Sequence, residues 1–187
     1  MKSRDLSPRV SIQTADFDLS VELAVLRAQD PRVGAVCSFI GTVRDRNDVT
    51  PTLVTACTGL PPEGTLSPRG GPSATAPVLS MELEHYPGMT EKAIEAMIDE
   101  AHRRFDIFGA RVIHRIGLLK PLDQIVLVVV TSDHRGESFQ ACEFLMDYLK
   151  TQAPFWKKEQ TREGSHWVDA RVSDDVALAR WGITASN

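Results

Sequence analysis

The stretch that decides the fold is IVLVVVTSDHRGESFQACEFLMDYLK, which occupies residues 125–150. Its first six residues are all apolar, as is typical of a strand buried on both faces, so we expect a central strand over residues 124–131. Ser132 or Asp133 is a suitable N-cap for a helix that follows. Apolar residues then recur at helical spacing and predict a buried stripe, which comprises Phe139, Cys142, Leu145, Met146 and Leu149.

Outward from this segment, strand and helix patterns alternate along the chain. Val10 and Ile12 predict a first strand, and Thr90 is a plausible N-cap for a helix that runs to about Phe105. Such a mixture of elements predicts an α+β sandwich. The remaining predicted elements are a helix over 18–28 that buries Val21, Ala24, Val25 and Ala28, strands over 34–43, 78–86, 110–118, 155–159 and 166–171, and a last helix over 174–181.

Residues 45–77 differ from the rest of the chain. They contain six of the eleven prolines and four glycines, and they show no hydrophobic period. This composition is typical of a long exposed loop. We therefore expect one domain over residues 1–187, interrupted by a flexible surface insertion at about 45–77.

The totals suit a single globular domain of 187 residues. The net charge of -4 gives no overall basic surface for nucleic acid, and no apolar run is long enough to span a membrane. Three cysteines without a zinc or redox spacing, and no signal peptide, predict a cytoplasmic protein. The five histidines form no ligand pair, and no nucleotide or cofactor motif is present, so we expect neither a metal nor a cofactor.

His134 and Arg135 fall at the start of the helix, where we expect both in the first turn. Cations there oppose the helix dipole, yet the same turn offers unpaired backbone N–H groups to an anion. The pair therefore predicts a binding site for a phosphate or carboxylate. The alternative is that Arg135 pairs with Asp133 or Glu137 while His134 is merely exposed.

Lys150 lies in the last turn of the same helix, where the dipole favours a cation whatever its function. Lys157 and Lys158 follow after a rigid apolar stretch. Alternation along a strand sends these two side chains to opposite faces, so one of them can enter a pocket walled by aromatic rings. There a lysine charge is less screened and can stabilise developing negative charge. The alternative is a solvated basic stretch.

The length of the helix constrains how these cations combine. His134 and Lys150 are separated by 16 residues, which is roughly 24 Å along a helix axis. Long side chains cannot close that distance. We therefore expect a site shared between two copies of the helix in a symmetric dimer. Arg44, at a strand end, and Arg171, near the C-terminus, are further but individually weak candidates.

Several motifs together resemble the catalytic, or large, subunit of molybdopterin synthase, the MoaE family. The resemblance covers nearly the whole chain apart from the insertion. The motifs are FIGTVRDRN (39–47), LEHYPGMTEKAIEAMIDEA (83–101), IHRIGLL (113–119), TSDHRGESFQACEFLMDYLKTQAPFWKKE (131–159) and WVDAR (167–171).

This resemblance implies an α/β hammerhead-type fold with an additional small antiparallel sheet. It implies sulfur transfer from the C-terminal Gly-Gly thiocarboxylate of a small ubiquitin-like subunit to cyclic pyranopterin monophosphate, which forms the molybdopterin dithiolene. It also implies a homodimer of large subunits within a heterotetramer, and a reaction step that uses no metal.

The resemblance also implies roles for individual residues. Lys150 and Lys157 match the catalytic lysines of the family. The matching substrate-binding positions are Arg44, His134, Arg135 and Arg171 for anion and pterin, Lys158 and Glu159 in the same segment as Lys157, and Phe39 and Met146 in the pocket lining. Two alternatives remain: a non-catalytic module that binds a ubiquitin-like tail, and a different enzyme acting on a phosphate ligand.

Overall fold

The computed structural model describes residues 8–45, 77–162, 164–168 and 180–182. Residues 46–76 of the predicted insertion and most of the predicted last helix lie outside these ranges, as does Arg171. The elements in chain order are β1 (Val10–Gln13), α1 (Leu19–Arg27), β2 (Ala35–Thr42), β3 (Ser80–His85), α2 (Met89–Arg104), β4 (Ile107–Arg115), β5 (Gly117–Leu119), β6 (Gln124–Ser132), α3 (Arg135–Gln152), β7 (Phe155–Thr161) and β8 (Gly164–Val168).

The strands form two four-stranded sheets, so the mixed α+β prediction is confirmed. The first sheet has the order β1-β4-β6-β2, and the second has the order β5-β3-β7-β8. In the first sheet only the β1–β4 pair is parallel, whereas every pair in the second is antiparallel. The central position predicted for β6 is confirmed, because this strand pairs with β2 on one side and β4 on the other.

The main core lies where α2 and α3 pack on the first sheet. Val128 and Val130 of β6 are fully buried there against Ile98 of α2 and Leu145 of α3. The other face of β6 presents Leu127 and Val129 to α1. A strand buried on both faces cannot alternate in polarity, which explains the unbroken apolar run that predicted it. Among the described residues, no helix is long and apolar enough to cross a membrane.

The face predicted for α1 was wrong. Val21 and Val25 are exposed, whereas Leu26 is buried and Leu19 and Leu23 pack beside it on the sheet. A helix of nine residues with apolar side chains around its circumference offers two possible stripes. The larger leucines remove more apolar surface from water, and the sheet packs against them.

Two other helix predictions were wrong in detail. Phe139 is 60% exposed, and the aromatic residue buried in α3 is Phe144, which meets the rings of Phe105 and Trp181. Thr90 is not the N-cap of α2, because the helix begins after Gly88, which has a φ of 79°. Thr90 is instead buried inside the first turn.

The strand predicted over 110–118 is divided between the two sheets. β4 ends at Arg115, and Gly117 at the start of β5 has a φ of 81°, a left-handed conformation that glycine adopts at little cost. The chain therefore leaves the first sheet and enters the second within two residues. This short crossing holds the sheets side by side.

Candidate active site

Helix α3 runs unbroken over 18 residues, so its ends lie roughly 27 Å apart. His134 is the N-cap and Arg135 is the first helical residue, while Lys150 lies in the last turn. The prediction that both His134 and Arg135 lie in the first turn was therefore wrong for His134. Within one chain, the structure keeps the two cationic groups apart.

At the start of α3 lies an open cleft of about 510 Å³, lined by Gly34, Ala35, Asp133, His134, Arg135 and Gly136. Gly34 packs against the Asp133 carbonyl so closely that a Cβ atom there would lie 2.3 Å from the carbonyl oxygen. The His134 side chain does not cap the helix, so it leaves the N–H groups of the first turn without an acceptor at the residues that line the cleft. The backbone and the cations are arranged as an anion-binding site requires.

The acids near this cleft have other contacts. His134 is exposed, with its Nε2 atom 3.6 Å from a carboxylate oxygen of Asp133. Glu137 accepts a hydrogen bond of 3.1 Å from the backbone N–H of Asp106. The alternative that one of these acids neutralises Arg135 therefore has no support from their contacts, and the exposed Arg135 side chain borders the cleft.

Strand β2 packs beside α3 and runs in the same direction, so residues of the strand can be matched with residues of the helix at the same level. Gly34 touches Asp133, and further along Cys37 packs against the core cluster that contains Cys142. From Cys37 to Phe39 the strand advances two residues, and from Cys142 to Met146 the helix advances about one turn. Both distances are about 6 Å, so Phe39 lies at the level of Met146. The two predicted pocket residues thus belong to the Lys150 end of α3.

Strand β7 carries Lys157 and Glu159 on one face and Lys158 on the other, as the predicted alternation requires. The Lys157 Nζ atom lies 2.6 Å from Oε1 of Glu159, and the Glu159 side chain is only 4% exposed. Lys158 instead lies over the ring of Trp167, 5.6 Å from its centroid. A buried carboxylate requires a charged or hydrogen-bonding partner, so this ion pair fixes both groups in place.

Arg44 stands where the two sheets meet. The preceding Val43 is buried among Met81, Leu83 and Leu119 of the second sheet. Leu83 is paired directly with Lys157 across the β3–β7 ladder, so their side chains share a face. This packing places the exposed Arg44 next to the face of the second sheet that carries the Lys157–Glu159 pair.

Two contacts that the sequence did not reveal hold the start of β7. The His114 ring stacks on Phe155 with centroids 3.8 Å apart, and burial lowers the pKa of His114 to about 4. The Thr90 hydroxyl donates a hydrogen bond of 3.2 Å to the Pro154 carbonyl. These partners are distant in sequence, and only the unusual polarity of His114 in an apolar strand hinted at its role.

Phe39, Met146 and Lys150 therefore lie towards the end of α3, and Lys157 and Glu159 form their ion pair on β7, the strand that follows it. Arg44 follows β2 at the junction with the second sheet. His134 and Arg135 lie at the opposite end of α3, and Lys158 lies on the opposite face of β7. Arg171 falls outside the described residues. Within the described ranges, no three His, Cys, Asp or Glu side chains lie together as metal ligands.

Known proteins match this chain over most of its length. A family model described as MoaE protein matches residues 68–152. The molybdopterin synthase catalytic subunit of Escherichia coli K12 is 58% identical over 173 residues, which cover 92% of this chain and 97% of the relative. A solved MoaE protein from Burkholderia ambifaria has a TM-score of 0.70 at 49% identity, covering 95% of this chain and 99% of the other.

A more distant structure shares the fold. It is a complex of subunits 1 and 2 of the molybdopterin-converting factor from Helicobacter pylori, and the matching chain has a TM-score of 0.61 at 15% identity. That match covers 87% of this chain and 91% of the other. The fold is all that this match shows, whereas the high identity to the bacterial relatives identifies the family. The chain belongs to the MoaE family of molybdopterin synthase catalytic subunits, enzymes that transfer sulfur in the biosynthesis of the molybdenum cofactor.

Proposed function

We propose that the chain transfers sulfur from the C-terminal thiocarboxylate of a small ubiquitin-like subunit to cyclic pyranopterin monophosphate. The product is the dithiolene of molybdopterin. Family membership supports the reaction, and the two-subunit complex from Helicobacter pylori supports a small partner. The observation that carries the proposal is the ion pair between Lys157 and the buried Glu159, which presents an oriented ammonium group at the sheet junction.

The proposed chemistry needs cations more than it needs a protein nucleophile. A thiocarboxylate is itself a sulfur nucleophile, and it must approach a phosphate-bearing substrate although both are anions. Lys150 and Lys157 offset that repulsion, and a positioned lysine can also transfer a proton. Glu159 is buried, so we assign it the positioning of Lys157.

Most of the other predicted residues take binding roles in this proposal. Phe39 and Met146 line the pocket on the Lys150 side, and Arg44 borders it at the junction of the sheets. The cleft at His134 and Arg135 holds the phosphate, and Arg171 adds to the binding of the anionic substrate. Lys158 lies over Trp167 on the opposite face of β7, so we assign it no role in this pocket.

The separation of the helix ends supports a shared site. We propose a homodimer in which the start of α3 in one protomer completes the pocket at the end of α3 in its partner, within a heterotetramer. We also propose that the fold is the hammerhead type with an added small sheet, in a single domain. We place the reaction in the cytoplasm because the cysteine content suits a reducing compartment.

The direct test is an assay in vitro. The purified chain is mixed with a thiocarboxylated carrier that ends in Gly-Gly and with cyclic pyranopterin monophosphate, and the dithiolene product is measured. We expect product only when all three components are present. A Lys150→Ala variant should still bind the carrier but form almost no product. A chain that binds the carrier and never turns over would be a binding module, contrary to the proposal.

A second test addresses the shared site. Lys150→Ala and Arg135→Ala proteins are each assayed alone at a pterin concentration far below KM, where both should have little activity. They are assayed again at the same concentration after subunit exchange, which is checked by mass spectrometry of differently tagged protomers. A mixed dimer holds one site with both changes and one wild-type site, so random exchange should restore about a quarter of wild-type activity. If exchange is complete and activity stays at the level of the separate variants, each pocket belongs to one chain.

A further inference from the structure

Two cysteines that the proposed reaction does not use meet inside the wall of the proposed pocket. Cys37 lies on β2, an edge strand of the first sheet, and Cys142 lies on α3. Cys37 packs against the core cluster that contains Cys142. Burial raises the pKa of Cys142, and the nearby Cys37 thiol adds to that rise in pKa. Thiols in such contact can form a disulfide if the backbones allow the sulfur atoms to approach to about 2.0 Å.

We propose that Cys37 and Cys142 form an oxidation site for hydroperoxides, in which a reversible disulfide fastens β2 to α3 and closes the pocket between Phe39 and Met146. This regulatory role rests on the proposed function of the pocket. The disulfide itself does not, because it depends only on the contact between the two thiols.

The surroundings of the two thiols set the order of reaction. Cys142 is 3% exposed, and burial raises the pKa of its thiol, so it is a poor first nucleophile. Cys37 is only partly buried and is reached by a small oxidant from the side of the edge strand. Cys37 therefore reacts first, and Cys142 is the resolving thiol.

The steps balance with a hydroperoxide as the oxidant. The Cys37 sulfur attacks the peroxide oxygen, the O–O bond breaks, and a sulfenic acid forms with release of water or an alcohol. The Cys142 sulfur then attacks the Cys37 sulfur, the S–O bond breaks, and the hydroxyl leaves as water with the Cys142 proton. Both sulfurs are oxidised to the disulfide, the peroxide is reduced, and a dithiol reverses the change.

The position of the pair connects it to the pocket. Phe39 lies two residues after Cys37 on the same side of β2, and Met146 lies one turn after Cys142 on α3. A covalent bond in place of a packing contact pulls the edge strand towards the helix. A displacement of about 1 Å near positioned reacting groups can reduce a rate about a hundredfold, so this movement is large enough to act as a switch.

The test uses the full chain with Cys57→Ser, which removes the third thiol and leaves the pair. Hydrogen peroxide is added and then destroyed with catalase, so that it cannot oxidise the carrier. We expect a mass loss of two hydrogen atoms, a linked pair of peptides containing Cys37 and Cys142 under non-reducing digestion, and full reversal by dithiothreitol. The absence of the linked peptides would overturn the oxidation site.

Activity is measured on the same samples, before oxidation, after it, and after reduction. We expect a fall of about tenfold or more that is restored by dithiothreitol. Matched Cys37→Ala and Cys142→Ala variants should keep their activity after peroxide, which separates the disulfide from oxidation of Met146. An equal fall in these variants, or a disulfide without any fall, would overturn the regulatory role. A reduced protein that forms no dithiolene counts against the proposed function, whereas the linked peptides still decide the oxidation site.

Discussion

The two ends of α3 carry cations in opposite surroundings. At its start, His134 is 85% exposed and borders an open cleft with Arg135. Beyond its end, Lys157 is paired at 2.6 Å with a carboxylate that is almost fully buried. An exposed cation is screened by water, whereas one held against a buried carboxylate keeps its orientation at low entropic cost. The first arrangement suits capture of an anion, and the second suits a reacting position.

This difference shows that the same residue type has to be judged by its contacts. Lys157 and Lys158 are neighbours in sequence, yet one faces Glu159 and the other lies over Trp167. Four perturbations test the contrast between the two ends, and they follow in order of expected effect.

The largest effect should come from Lys157→Ala, matched with Lys158→Ala one residue away on the opposite face of β7. If Lys157 stabilises charge or moves a proton, its loss should lower kcat by about 10² to 10⁴. The Lys158 variant should lose much less. Dithiolene formation measures the rates, and circular dichroism checks the fold of both proteins. Equal losses in the two variants would show that the ion pair does not single out Lys157.

The second effect concerns the pH dependence of stability. The pKa of the buried His114 is about 4 in the folded protein and near 6.5 in an unfolded chain. The unfolded state therefore binds the proton first, so the contribution of neutral His114 is complete above pH 6.5 and is lost as the pH falls towards 4. We expect a loss of about 3 kcal/mol in the free energy of unfolding over that range.

Urea unfolding at a series of pH values measures this loss, and His114→Phe should flatten the curve while keeping a ring against Phe155. The control is His134→Ala, which removes an exposed histidine at the other end of α3 and should keep the loss of stability towards pH 4, because His114 is still present. A His114→Phe protein with the original pH dependence would contradict the assignment.

The third effect should come from Arg135→Ala. Loss of a charge-assisted contact to the substrate phosphate should raise KM for the pterin about tenfold to a hundredfold and lower kcat little. Because the cleft is open to solvent, the wild-type KM should also increase with salt. Steady-state kinetics at two ionic strengths measure both effects. A fall in kcat at unchanged KM would place Arg135 at the reacting centre instead.

The smallest effect should follow deletion of residues 49–76. The backbone on either side of the segment is already joined, since the Val78 N–H donates a hydrogen bond of 2.8 Å to the Asp45 carbonyl. A short turn can therefore replace the deleted residues, and kcat/KM should stay within about twofold of wild type. A large loss would show that the segment acts at the neighbouring Arg44.

Much of the fold could be predicted because it depends on local patterns. The apolar run of β6 and the alternation of β3 and β7 report burial directly. The face of α1 could not be predicted, since Val21 and Leu26 are both apolar and only the sheet decided which one it would bury. The burial of Phe144 in place of the predicted Phe139 has the same cause. Phe105 and Trp181, which pack against the Phe144 ring, come from elsewhere in the chain.

The sequence by itself determined the central strand, the length of α3 and the set of cations, since these depend on residue type and spacing alone. The length of α3 already separated His134 from Lys150. Only the tertiary structure decided which cation has a buried partner, that Val43 carries Arg44 to the junction of the sheets, and that Cys37 meets Cys142. Those outcomes depend on packing between distant segments, and spacing along one chain does not encode them.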